Sequence, residues 1–195
     1  MSDLIFNDSE LDILNNDDFL IKKEVITQKI IEYFNHISIE LRKEDLPKKL
    51  CEYWDLGLAP KISRGEKYNR LPYIVLDYPS YFNKEDIFCF RVIFLWSKQF
   101  NCNLILKGKP LLKYESHLKG NEGKLKKYGY ILEYSSSPWK HEVNNKPHNS
   151  DDLIKYSFKK KEAYLKISKS LPLEHMIGLE ELSKNMLKDI ITVLF

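Results

Sequence analysis

The chain has only three cysteines, Cys51, Cys89 and Cys102, and no two of them form a CxxC pair. An odd set without that spacing argues against a disulfide framework or a Cys-rich zinc site, and it suits a reducing compartment. Glycine is also sparse, at seven residues, and none of it forms a phosphate-binding loop. Together with the lack of regular βαβ alternation, this argues against a doubly wound nucleotide-binding fold. The five histidines, His36, His117, His141, His148 and His175, form no HxH or HExxH spacing. His141 and His148 beside Glu142 are the one grouping that could hold a metal, and none is assigned. Ser135-Ser136-Ser137 lacks any GxSxG context for a nucleophile. No apolar run approaches the ~18–20 residues that a membrane span needs, and Met1 to Glu10 carries acids in place of a basic leader region. The expectation is a soluble, cytoplasmic chain with no cofactor, no metal and no membrane partner.

What is present suits a globular protein. Apolar residues make up 43% of the chain and charged residues 30%, values that leave disorder without support. A length of 195 residues is read as one domain, 1–195, with room for a sizeable core. Aromatics stand at 13%, and packing in that core is the commoner use for them. The net charge of +3 selects no partner, but its distribution is uneven. Residues 1–50 carry 7 basic and 11 acidic side chains, net −4, whereas residues 101–150 carry 9 and 4, net +5. The basic quarter can favour an anionic partner, although a solvated lysine-rich loop is the plainer account.

Periodicity predicts the elements. Residues 1–16 read as a loose lead-in docking through Leu4, Ile5 and Phe6. Ile26, Ile30, Phe34, Ile37 and Leu41 recur at helical spacing and predict an amphipathic helix over 18–42, with Asp17 and Asp18 at its start. Asp45 and Pro47 predict a second helix ending near Gly57. Residues 59–70 read as a charged connection and Leu71 to Asp77 as a strand, with Pro72 near its beginning. For the apolar run Ile87–Trp96, Asn83 and Asp86 resemble a capping box, and Phe82 and Ile87 a staple, so a buried helix over about 84–98 is expected. Asn101 to Lys107 alternates and predicts a strand with one buried face. Residues 111–119 are open between strand and helix, followed by a turn at 120–123. Tyr128–Tyr134 reads as a strand, 135–150 as a long polar loop, and 153–158 with 163–168 as a hairpin. Leu179, Leu182, Met186, Ile190 and Leu194 predict a closing amphipathic helix. The fold class expected is α+β: a mostly antiparallel sheet packed by N-terminal helices, a buried central helix and a C-terminal amphipathic helix.

The candidate site gathers Arg64, Glu66 and Tyr68 ahead of the first strand, Asp77 and Tyr78 at its end, and Arg91 in the apolar run. The guanidinium groups could bind a carboxylate or phosphate bidentately, with Glu66 or Asp77 as acid or base. The plainer alternative is a buried ion pair between Arg91 and Asp77 or Glu66, because a lone buried charge must be paired. The Arg64–Pro79 block followed by the aromatic run resembles an uncharacterised bacterial protein family of about 200 residues, a resemblance that implies no activity. Three functions remain, in this order. The first is a non-catalytic binding or interaction protein for a protein partner or small anionic ligand. The second is a small enzyme acting on an anionic small molecule. The third is a weak nucleic-acid binder using Lys107, Lys109, Lys113, Lys119, Lys124, Lys126 and Lys127 with Tyr114, Tyr128 and Tyr130.

Overall fold

A computed structural model describes residues 5–44, 50, 59–133, 139 and 163–195. The chain enters through α1 (Asp8–Leu14), where Asn7 and Glu10 cap each other reciprocally. This segment is a helix where the sequence suggested a loose lead-in. Asn16 then accepts from the Phe19 N–H and starts α2 (Asp17–Lys43), which bears out the predicted amphipathic helix. The helix predicted over 45–57 lies outside the described residues apart from Leu50, which is helical and fully buried.

Among the described residues six strands follow: β1 (Lys61–Tyr68), β2 (Leu71–Phe82), β3 (Ile87–Leu95), β4 (Gln99–Lys107), β5 (Ile131–Glu133) and β6 (Tyr164–Pro172). They form one fully antiparallel sheet in the order β1-β2-β3-β4-β6-β5. Between β4 and β5 come α3 (Lys109–Gly120) and α4 (Glu122–Lys127); after β6, a 3₁₀ segment (Leu173–Gly178) leads into α5 (Leu179–Leu194). The α+β class is therefore observed, with helices at both ends of the described chain.

Three expectations are corrected. The 84–98 segment is not a buried helix but β3, and all nine of its residues are buried. A strand covered on both faces reads as an unbroken apolar run, so no alternation identifies it. Asn83 does accept from the Asp86 N–H at 2.7 Å, but also from Glu85 N–H at 2.8 Å, which closes the β2–β3 hairpin as an Asx turn. The charged connection 59–70 is largely β1, which among the described residues is an edge strand, a position its charges suit. Asn69 and Arg70, both at positive φ (50° and 65°), make the tight turn into β2. β4 is also buried on both faces, not on one. Residues 111–119 belong to α3, and Gly120–Gly123 spans the α3–α4 junction.

Among the described α-helices, α2, α3, α4 and α5 pack on one face of the sheet, whereas none of the residues of α1 is buried. Ile30, Phe34, Ile37 and Leu41 of α2 and Met186, Leu187 and Ile190 of α5 meet Leu76, Phe90, Val92, Cys102, Leu104 and Ile167 in one cluster. Roughly 1.5–3 kcal/mol per buried aliphatic side chain makes this the main stabilising layer. His36 reaches Glu180 at 2.9 Å and Glu44 reaches Lys188 at 3.2 Å, so α2 and α5 run side by side in the same direction.

Candidate functional site

The face of the sheet away from the helices is unusual in being buried and polar. Opposed residues across an antiparallel sheet share a face, and here Lys61, Asp77, Arg91, Asn103, Ser168 and Ile131 form a continuous row across all six strands. Asp77, Arg91, Asn103 and Ser168 are each under 9% exposed. Arg91 donates Nε–H to Asp77 Oδ1 at 2.6 Å and an Nη2–H to Oδ2 at 2.8 Å, a bidentate pair. The Cys89 thiol donates to Asp77 Oδ1 at 3.3 Å, and Ser168 Oγ–H donates to Asn103 Oδ1 at 2.8 Å. The Trp139 ring lies 5.1 Å from the Arg91 guanidinium carbon and 6.1 Å from the Phe82 ring. Burial works against the charge on Arg91, but the Asp77 hydrogen bonds and neighbouring negative charge outweigh it and raise its pKa. Burial, reinforced by the Asp77 carboxylate, pushes the Cys89 thiol well above its ordinary range, so it is a packed, protonated group.

Apolar residues flank the row. On one side Val75, Ile93 and Leu95 pack with Tyr68 and Tyr73, and on the other lie Ile87, Cys89 and Ile105. A second buried pair, Lys166 with Glu133, stands one row over.

The predicted site residues are thus divided. Asp77 and Arg91 meet, as the ion-pair alternative expected. Tyr68 is on the same face but packs edge-to-face on Tyr73, with ring centroids 6.4 Å apart. Arg64 opposes Ile74, a residue of the helix-side core, and so sits exposed on the opposite face. Glu66 contacts Lys23 of α2 at 3.5 Å, on that same helix side. Tyr78 is buried in the helix-side core, where the sheet register shifts between Asp77 and Ser80. The lysines of the third reading are spread differently from a stacking surface. Tyr114 is buried, Lys119 pairs with Glu115, and Lys126 pairs with Glu122. His141, His148 and Glu142 lie outside the described residues.

Two features escaped the sequence reading. One is an open groove of about 430 Å³ lined by Tyr128, Tyr130, Lys169, Leu182, Asn185, Lys188 and Asp189. Tyr130 donates to Asp189 Oδ2 at 2.6 Å; burial, and then this bond, raise its pKa. Lys169 donates to the Tyr128 carbonyl at 2.9 Å and sits 5.2 Å from the Tyr130 ring, so these polar groups already serve one another. The other is the N-terminal arm. Phe6, Leu11, Ile13, Leu14, Phe19, Leu20, Ile21, Val25 and Ile26 are all exposed large apolar side chains within one short stretch. The signal for it was in the sequence: the helical stripe at Ile26 continues back to Phe19, seven residues earlier.

The site and fold thus describe an α+β protein with a wholly antiparallel sheet, helices on one face and a buried polar row on the other. No family model matches the chain, and neither the curated proteins nor the solved structures yielded a match. Among the described residues, no helix is long and apolar enough to cross a membrane.

Proposed function

We propose that this chain is a non-catalytic binding protein and that its contact surface is the N-terminal arm, residues 5–26. The observation that carries the reading is the exposed apolar run from Phe6 to Ile26 on α1 and the first turns of α2. Large apolar side chains left exposed together in one short stretch, interspersed with acids such as Asp8, Asp12, Asp17 and Asp18, mark interaction sites. The carboxylates offered for acid–base chemistry support it too. Asp77 is held by Arg91 and Cys89, while Glu66 lies on the other side of the sheet near Lys23. Kinship with the uncharacterised bacterial proteins, a cytoplasmic location and a one-domain chain belong to the same proposal. The thiol usage supports the location.

Photo-crosslinking tests the surface. A benzoyl-phenylalanine replacing Leu20 or Ile26 in cells is expected to give defined protein adducts. The same probe replacing Glu32, which is exposed on α2 beyond the arm and turned away from both positions, serves as the control. Arm positions that give no adduct above that control would overturn the reading.

A further inference from the structure

We infer that the partner of the arm is a second copy of this chain, bound about a twofold axis with the two α2 overhangs antiparallel. This rests on the arm being a contact surface. One stripe of α2 carries Phe19, Ile26, Ile30, Phe34, Ile37 and Leu41. From Ile30 onward it is sealed against the sheet, at 4% exposed or less, whereas Ile26 is 40% and Phe19 47% exposed. Lys23, paired with Glu66, interrupts the stripe between Phe19 and Ile26, and among the described residues nothing encloses its first turns.

The place where enclosure begins is defined by contacts. Lys23 meets Glu66 close to the β1–β2 turn at Asn69-Arg70. The arm therefore leads out past the end of the sheet that carries this turn and the β3–β4 turn at Ser97-Lys98. Charge divides sharply along the overhang. Residues 5–18 hold Asp8, Glu10, Asp12, Asp17 and Asp18 and no basic residue, net −5. The root holds Lys22 and Lys23 on the helix, exposed Lys67 at the end of β1 and exposed Arg70 and Lys98 on the turns, against Glu24 and Glu66: five basic and two acidic, net +3.

An isologous pair uses both properties twice. Antiparallel overhangs lay each exposed stripe on its counterpart, and each acidic tip then reaches the basic root of the other copy. A parallel pairing would set tip against tip, −5 facing −5. Charge complementarity therefore selects both the occupant and its direction.

Sedimentation velocity of the full chain tests this. The wild type is expected at twice the 23.2 kDa chain mass. Phe19→Glu/Ile26→Glu is expected at the single-chain mass with an unchanged far-UV circular dichroism spectrum, since neither side chain is enclosed by the fold. Arg70→Glu/Lys98→Glu should raise the dimer dissociation constant about tenfold, and Asp12→Lys/Asp17→Lys added to it should restore association. A wild type at single-chain mass up to its solubility limit overturns the dimer. So does a dimer that persists in Phe19→Glu/Ile26→Glu. Arm adducts to a different protein alongside single-chain sedimentation would remove the second copy and leave the arm as a binding surface. With no arm adducts of any kind, both readings fall.

Discussion

Arg91 is held in the sheet because Asp77 lies directly opposite it and both are buried. A desolvated guanidinium is tolerable only where a carboxylate takes its two parallel N–H groups, as happens here at 2.6 and 2.8 Å. Arg91→Met strands the Asp77 carboxylate and is expected to cost about 3–5 kcal/mol, read as a drop in the urea midpoint. Asp77→Leu/Arg91→Met removes both charges and should recover most of that loss, because an apolar pair suits this site as well as the ions do. A fully stable Arg91→Met that had lost a response to a small anion would instead speak for the ligand reading of these residues.

At the scale of elements, the β2–β3 hairpin shows how one local pattern serves two structures. Asn83 bonding to the N–H three residues on is the signature of a helix cap, and equally of an Asx turn. Asp86 caps a helix, but a distant one: its Oδ1 accepts the Lys109 N–H at 2.8 Å at the start of α3. Gly108 makes that contact possible. It has φ +65°, and a Cβ there would stand 2.3 Å from Asp86 Oδ1 and 2.6 Å from the Glu85 carbonyl oxygen. Gly108→Ala is therefore expected to destabilise by more than about 1 kcal/mol in chemical unfolding, through both the φ value and the clash. Asp86→Ala should lose only the cap, about 1 kcal/mol.

At the scale of the molecule, folding seals a thiol on each face of the sheet, Cys89 beside the polar row and Cys102 under α5. Burial pushes the Cys102 thiol from 9.0 to about 12, although its contact with Ser183 Oγ lowers it somewhat. The unfolded chain ionises this group above pH 9 while the folded chain cannot. Its contribution is thus whole below pH 9 and is lost as pH rises towards 12. By pH ~10.5 the loss from Cys102 alone is about 2 kcal/mol. Urea unfolding at pH ~8 and ~10.5 should show a steeper loss for the wild type than for Cys102→Ala. Equal losses would mean that other groups carry the alkaline sensitivity.

Local pattern alone determined α2, α5, the β2 core and the class of fold, because one-sided burial leaves a period that a single segment displays in full. It also offered the Asp77–Arg91 pair, since a buried charge demands a partner. It could not locate β3, whose two covered faces erase alternation, or β1, whose charges befit an unpaired edge and look like a loop. Nor could it show that Arg64 and Glu66 face away from Asp77, because strand register sets the face and register is a property of the paired strands. The arm marks the same boundary. The stripe from Phe19 to Leu41 recurs at helical spacing in the sequence, and only the described sheet beneath it decided which part is core and which part is exposed.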